Sequence, residues 1–303
     1  MNYYLSKIRK RVYKLFHPPL GEIVMLHRVV EERSILEANR QMEITPEFLE
    51  KTIEGYLKQG RPIVSLDEVY QIIHNRKNVK KPFICFTFDD GYKDNYELAY
   101  PIFKKYNCSF AIYVTTNLPD GKALLWWYIV EAILLKNNKL ILGDGSEYDC
   151  STIETKNATF DAIRQKVFNI QSKNIEEKLN NLFVNYSYSF KEKNKSLSLS
   201  WNQITELAND NLCTIASHTK SHGVLSNMSA EEVVADLRDS KLILENHIKK
   251  DVKHFAYPYG ACNEFVIEQV KLVGYKTAVL ANGGMSRKKD DFIKLKRSSL
   301  FEQ

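Results

Sequence analysis

The chain has 303 residues, of which 44% are apolar, so it can bury the core of one large soluble domain. No apolar run approaches the about 18 residues of a membrane-spanning helix, and the N-terminal residues lack the apolar stretch of a secretory signal. The net charge of +6 reflects 43 basic and 37 acidic residues, and no basic and aromatic stripe outside the N-terminus indicates nucleic-acid binding.

The chain begins with a basic segment, residues 1–19, ahead of a predicted main domain at 20–303. Residues 1–17 contain five Lys and Arg residues and no acid, interleaved with apolar side chains. This pattern predicts either peripheral contact with an anionic membrane surface or a helix packed on the protein by its apolar side.

Strand and helix signals then alternate along the chain. Two helix starts are typical: Thr45 as N-cap before Pro46, and the capping box formed by Ser229 and Glu232. Repeated strand–helix units predict an α/β fold with a parallel sheet, either a (β/α) barrel or a doubly wound layer. The predicted strands are 22–27, 83–88, 109–115, 212–217, 253–257, 276–281 and 292–296, and the predicted helices are 45–59, 65–73, 95–105, 200–209, 229–248 and 263–272.

The segment between about 117 and 200 interrupts this alternation and predicts an insertion packed over one end of the barrel. It starts with an apolar helix containing Trp126, Trp127 and Tyr128, continues with polar helix at 157–185, and ends in a predicted loop at 185–199. The three aromatic residues are expected to form the core of the insertion, the alternative being stacking on sugar rings.

Titratable or turn-forming residues stand at the ends of four of the predicted strands, at His27, at Asp89 and Asp90, at His218, and at 257–260. In parallel α/β barrels the active site is assembled where the strands end at their carboxyl termini. We therefore expect these residues to meet at one end of the barrel.

Two motifs within this set indicate metal chemistry. Thr-Phe-Asp-Asp-Gly at 87–91 supplies adjacent carboxylates, and Ser-His-Thr-Lys-Ser-His at 217–222 supplies two imidazoles four residues apart. Alone, the first could be a solvated turn and the second two unrelated surface histidines. Together they hold one ligand more than a three-ligand catalytic zinc site requires, and the spare carboxylate could activate water.

These residues resemble the first three motifs of the polysaccharide deacetylases, carbohydrate esterase family four, with Tyr-Pro-Tyr-Gly at 257–260 as the third. The resemblance spans roughly residues 20–300 apart from the insertion. It implies a distorted parallel (β/α) barrel of about seven strands that binds a divalent metal, usually zinc.

The resemblance also assigns roles to single residues. Asp90, His218 and His222 correspond to the metal ligands, and Asp89 corresponds to the catalytic base. Tyr259 corresponds to the residue whose backbone N–H helps to stabilise the oxyanion.

The chain departs from the common family pattern at two places. No histidine follows His254, where most members carry the acid histidine. The early Met-Leu-His-Arg-Val segment instead resembles the branch of biofilm-exopolysaccharide deacetylases, which implies that His27 is the general acid. The motif-three Arg that orients the base is replaced by Ala256, and Arg297, or less favourably Arg28, is the candidate substitute.

The predicted function is metal-dependent removal of N-acetyl groups from an amino sugar in a polysaccharide, oligosaccharide or lipid-linked saccharide. The alternatives are an O-deacetylase of acetylated glycans and a non-catalytic carbohydrate-binding relative. Zn²⁺ is the expected metal, with Co²⁺, Ni²⁺ and Fe²⁺ also compatible with these ligands. Five scattered cysteines without a Cys-x-x-Cys pair favour a cytoplasmic location, peripheral to the inner membrane face if the basic segment binds lipid.

Overall fold

A computed structural model describes residues 19–75, 79–168 and 175–302. The predicted basic segment at 1–17 lies outside these ranges. The strands are β1 (Gly21–Leu26), β2 (Arg28–Val29), β3 (Glu43–Ile44), β4 (Phe83–Phe88), β5 (Phe110–Val114), β6 (Lys139–Ile141), β7 (Glu147–Asp149), β8 (Cys213–Ser217), β9 (His254–Ala256), β10 (Thr277–Val279) and β11 (Ser298–Ser299). The helices are α1 (Glu37–Arg40), α2 (Pro46–Lys58), α3 (Leu66–His74), α4 (Tyr100–Tyr106), α5 (Trp126–Lys136), α6 (Ile153–Phe168), α7 (Ile175–Leu182), α8 (Phe190–Leu197), α9 (Trp201–Asn209), α10 (Ala230–Ile248) and α11 (Glu264–Leu272).

Seven strands form one parallel sheet in the order β10-β9-β8-β5-β4-β1-β11. The last part of the chain joins its two edges. Leu295 donates to the carbonyl of Ala278 on β10 at 3.0 Å, and three residues later Ser298 pairs with Val24 on β1. The sheet therefore curls into the predicted distorted barrel, with the C-terminal stretch as its joint.

The strands separate two cores because successive side chains point to opposite faces. On β4, Phe83 and Cys85 point into the barrel, whereas Ile84, Phe86 and Phe88 pack against the surrounding helices. All five cysteines are free. Among the described residues no helix combines the length and hydrophobicity needed to cross a membrane.

Local sequence signals explain where the helices start. Thr45 caps α2 ahead of Pro46, and complete capping boxes begin α3, α9 and α10 at Ser65, Ser200 and Ser229. Each such cap stabilises its helix by about 1 kcal/mol. The predicted helix at 95–105 instead starts with a wider π-helical turn at Asn95–Ala99, followed by α4 with Pro101 near its start.

The insertion differs from its predicted form in two respects. The predicted loop at 185–199 contains helix α8, whose N-cap Ser189 accepts a hydrogen bond from the backbone N–H of Glu192. An antiparallel hairpin, β6–β7, was not predicted.

The final strand of the barrel is also displaced from its predicted position. The apolar stretch at 292–296 makes only a bridge through Leu295, and the strand itself is Ser298–Ser299.

The insertion forms a second apolar core that docks beside the carboxyl ends of the strands. Its end is attached to the turn after β4, where Lys93 donates to the carbonyl of Leu197 at 2.7 Å and Leu199 donates to that of Gly91 at 3.1 Å. Trp126, Trp127 and Tyr128 are buried in this second core, as expected.

Candidate metal centre

The predicted polar residues meet at the carboxyl end of the barrel. Asp89 and Asp90 directly follow β4, His218 directly follows β8, and His27 directly follows β1. The two aspartates and His218 are buried, with 2–3% of their surface exposed. Buried charged groups of this kind require partners, because burial of an isolated charge is costly.

Asp90, His218 and His222 bring three ligand atoms together. Asp90 Oδ1 lies 3.1 Å from His222 Nε2 and 3.5 Å from His218 Nε2, and the three atoms lie within 4.8 Å of one another. Asp90 Oδ1 is buried and makes no hydrogen bond of good geometry with any described residue. One carboxylate and two imidazoles are a donor set typical of zinc, so the residues present fit a divalent metal.

The protonation states also suit a metal. His218 Nδ1 lies 2.9 Å from the carbonyl oxygen of Ala256, which can only accept, so Nε2 keeps its lone pair for the site. Burial lowers the pKa of His218 to about 4, which keeps the ring neutral. Burial opposes ionisation of Asp90, but the neighbouring His222 outweighs it and lowers the pKa of that carboxyl. Metal binding requires these forms.

The backbone of the site is held in a rare conformation. Non-glycine residues with left-handed φ values of 57° to 74° occur at four positions here, Asp90, Thr219, His222 and Tyr259. The other two such residues in the described ranges, Asn107 and Lys249, cap helix C-termini, where this conformation is ordinary. Strained backbone of this kind persists only where surrounding contacts enforce it.

Asp89 is held by a buried arginine. Arg297 is fully buried and donates from both terminal nitrogens to the two carboxylate oxygens of Asp89, at 2.6 and 2.7 Å. Its Nε donates to the carbonyl of Leu280 at 3.1 Å. Burial would raise the pKa of Asp89, but the charge of Arg297 outweighs this and lowers it. Arg28, the other candidate, pairs instead with Asp94 at 2.8 Å and Glu43 at 3.2 Å.

A cavity of about 480 Å³ opens over these residues. His27 and Tyr259 line it beside the aspartates and histidines, and the Tyr259 ring lies 4.8 Å from that of His222. The insertion supplies an aromatic wall, so Trp126 and Trp127 border the cavity as well as packing in the second core. The other aromatic lining residues are Phe160, Phe168, Tyr257 and Phe301.

Sequence reasoning missed Asp236, which lies behind the histidine loop. It accepts hydrogen bonds from the backbone N–H groups of Lys220 at 2.6 Å and Ser221 at 3.1 Å. A signal was present, since Asp236 occupies the apolar stripe of α10 between Val233 and Ser240.

Comparison with known proteins places these features in context. The family model described as polysaccharide deacetylase matches residues 76–140 and 157–278, more than half of the chain. YxkH of Bacillus subtilis (strain 168), whose name assigns it to the polysaccharide deacetylases, is 19% identical over 275 residues, which cover 91% of this chain and 69% of YxkH.

Solved structures share the fold. Streptococcus pyogenes deacetylase PplD, solved in complex with acetate, matches with a TM-score of 0.64 and 19% identity over 93% of each chain. IcaB from Ammonifex degensii matches with a TM-score of 0.61 and 17% identity, over 93% of this chain and 92% of IcaB. At these identities the matches show the (β/α) barrel fold alone.

Proposed function

Because the chain belongs to the polysaccharide deacetylase family, we propose that it removes N-acetyl groups from an amino sugar of a polysaccharide, oligosaccharide or lipid-linked saccharide. The observation that carries this proposal is the three-ligand cluster of Asp90, His218 and His222 beside an aspartate held by Arg297. A non-catalytic sugar-binding protein would have no use for the additional buried carboxylate.

Asp90, His218 and His222 would hold a divalent metal, with Zn²⁺ the expected ion. When bound, such an ion acts as a Lewis acid on the acetyl carbonyl. The imidazole of His218 is oriented for this by the carbonyl of Ala256.

We assign Asp89 as the general base. Its Oδ2 lies 4.0 Å from His218 Nε2, so the carboxylate faces the ligand cluster and can take a proton from an attacking water there. Arg297 occupies one side of both oxygens, but each carboxylate oxygen has a second lone pair available. Arg297 thus orients the base and keeps it ionised.

His27 is assigned as the general acid and Tyr259 as the source of an oxyanion-stabilising backbone N–H. His27 lines the same cavity as Asp89, and its carbonyl accepts a hydrogen bond from Asn95 Nδ2 at 2.9 Å, which anchors the backbone just after β1. An amine leaving group needs a proton that an activated ester leaving group does not, so an acid at His27 matters most for amides.

The test is acetate release by the metal-loaded protein from N-acetylglucosamine oligomers and from acetylated xylan. Activity on the first substrate alone supports N-deacetylation, and activity on xylan alone supports the O-deacetylase alternative. Asp89→Asn should abolish release while the bound metal, measured by elemental analysis, is retained. Full activity of that variant would exclude Asp89 as the base.

His27→Gln provides a second, independent test. It should lower amide hydrolysis strongly while an activated aryl acetate ester is cleaved at close to the wild-type rate. Equal losses on both substrates would contradict the assignment of His27 as the acid.

For residues 1–17 we propose contact with anionic membranes, which would suit a lipid-linked substrate. The support is the charge of the segment, five bases without an acid. Removal of these residues should reduce sedimentation with vesicles rich in anionic lipid, and unchanged sedimentation would exclude this contact.

A further inference from the structure

The loop that carries both histidine ligands is short and strained. His218 and His222 stand at the two ends of a five-residue segment after β8, in which Thr219 has φ 68° and His222 has φ 57°. A metal site requires the two imidazoles to keep a fixed separation and direction. The contacts that hold this loop therefore set the geometry of the ligand cluster.

Most of those contacts come from neighbouring backbone. His218 N–H donates to the carbonyl of Val114 at 2.9 Å, and the carbonyl of Thr219 accepts from Thr116 N–H at 3.2 Å. Within the loop, Thr219 Oγ1 accepts from His222 N–H at 2.9 Å. The carbonyl of Lys220 also accepts from Asn117 N–H at 3.0 Å, but these contacts leave the N–H groups of Lys220 and Ser221 to be satisfied.

One carboxylate takes both of these central N–H groups. Asp236 Oδ1 accepts from Lys220 N–H at 2.6 Å, and Asp236 Oδ2 accepts from Ser221 N–H at 3.1 Å. Asp236 reaches the loop from the middle of α10 and is only 5% exposed. Carboxylate hydrogen bonds to backbone N–H groups are stronger than neutral ones, so this contact is well suited to hold a strained loop.

A second carboxylate on the same helix touches the same loop in a different way. The ammonium of Lys220 pairs with Asp239 Oδ2 at 2.7 Å, and both side chains are 39–46% exposed. Exposed pairs of this type contribute little to stability, because solvent screens them. Lys220 thus bonds to Asp236 through its backbone in the interior and to Asp239 through its side chain at the surface.

We propose that Asp236 is a positioning residue for the metal centre, which holds the His218–His222 loop through two backbone N–H groups. It contacts neither the metal nor the substrate in this role. The inference rests on the proposed metal centre and goes beyond it, by assigning the support of the ligand geometry to a residue of α10.

The test compares three single variants of the full chain. Asp236→Asn removes the charge and replaces one accepting oxygen with an NH₂ group, which donates and cannot accept. Asp236→Glu keeps the charge but shifts the carboxylate by one methylene. Asp239→Asn is the matched control, since it makes the same charge change on the same helix and contacts the same Lys220. Metal-free protein is titrated with Zn²⁺ in the absence of substrate, and Co²⁺ absorption reports the ligand geometry.

Both Asp236 variants should bind Zn²⁺ about 10- to 100-fold more weakly and change the Co²⁺ spectrum, the range expected when a contact that orients metal ligands is lost. Asp239→Asn should match the wild type within about twofold. Circular dichroism of each metal-free variant checks folding, and Asp236→Glu decides the question if Asp236→Asn does not fold.

Two results would overturn the assignment. Folded Asp236 variants with the affinity of Asp239→Asn would show that the loop does not depend on this contact. Weak binding by Asp236→Asn with normal binding by Asp236→Glu would attribute the effect to charge rather than to position. Absence of Zn²⁺ binding by the wild type would instead contradict the proposed metal centre itself.

Discussion

Replacement of Arg297 should change both the stability of the protein and the pH range of its activity. Arg297 is fully buried and is bonded through two nitrogens to Asp89, which is 3% exposed. Arg297→Gln leaves the carboxylate buried without its cation, and breaking a buried pair in this way costs about 3–5 kcal/mol. That is a large share of the about 5–15 kcal/mol that stabilises a typical domain.

The direction in which the pH profile of activity shifts follows from the pairing of Arg297 with Asp89. In the wild type Arg297 lowers the pKa of Asp89 against the opposing effect of burial. Without the cation, the largest influence that opposes burial is lost and the pKa of Asp89 rises. Since the base works as a carboxylate, the acid limb of kcat/KM should move to higher pH by about 1–3 units, the range by which a close cation lowers such a pKa.

The difference in free energy of unfolding between the wild type and Arg297→Gln also depends on pH. Asp89 has a lowered pKa in the folded state, so the pair stabilises the protein above the ordinary carboxyl pKa of 3.8 and loses this contribution as pH falls through the folded-state value. The wild type and Arg297→Gln should therefore differ most near neutral pH and converge in acid. Urea unfolding at several pH values measures this.

Two further variants separate charge from orientation and from general destabilisation. Arg297→Lys keeps a cation but cannot hold both oxygens, so kcat should fall while the acid limb stays close to that of the wild type. Arg61→Gln is the control, because Arg61 pairs with Glu22 on β1 and donates to the carbonyl of Pro82 just before β4, about 20 Å from Asp89 at about 3.3 Å per strand residue. It should lower stability without moving the pH profile. A folded Arg297→Gln variant with wild-type kcat and pH profile would refute this reasoning.

Two other predictions concern stability. Trp127→Ala should lower the free energy of unfolding, measured by urea titration, by about 3–5 kcal/mol, because Trp127 is buried and donates to Tyr92 Oη at 3.3 Å. Trp201→Ala is the control, because this half-buried ring is stacked on His247 and its loss should lower the free energy of unfolding clearly less. A contact with His254 lowers the pKa of Asp67 to about 2, so the stability that this contact contributes is present above pH 3.8 and is lost as pH falls toward 2. Asp67→Asn should thus be less stable than the wild type at pH 6 and more nearly equal to it at pH 3, and a gap that widens in acid would contradict this.

The alternation of strand and helix signals was sufficient to predict a parallel α/β sheet because these signals are local, and the family resemblance of the motifs selected the barrel over a doubly wound layer. Apolar strands followed directly by polar residues mark the carboxyl ends of β1, β4 and β8, and those ends meet in any parallel barrel. The end of the chain was harder to predict. The strand β11 is Ser298–Ser299, with no apolar pattern, whereas the apolar stretch before it contributes a single bridge at Leu295.

The supporting contacts of the site could not be predicted from the sequence, because they join distant residues through backbone groups. Asp236 bonds to N–H groups 15 and 16 residues earlier, and every residue except proline carries such a group. The sequence shows only that a charged residue interrupts the apolar stripe of α10. Helix α8, in contrast, could have been predicted from the sequence. Ser189 and Glu192 have the spacing that indicates a helix start elsewhere in this chain.

One strand pairing relates the two departures from the common family pattern. Val24 and Met25 of β1 pair with Ser298 and Ser299 of β11, so the residue after β1 and the residue before β11 belong to adjacent strands. His27 is that first residue and Arg297 is the second. His27 therefore lines the cavity at the carboxyl end of β1, and Arg297 reaches the carboxylate of Asp89 from the adjacent last strand. The joint that closes the barrel thus also places Arg297 against Asp89, and loss of barrel closure would free the carboxylate from its cation.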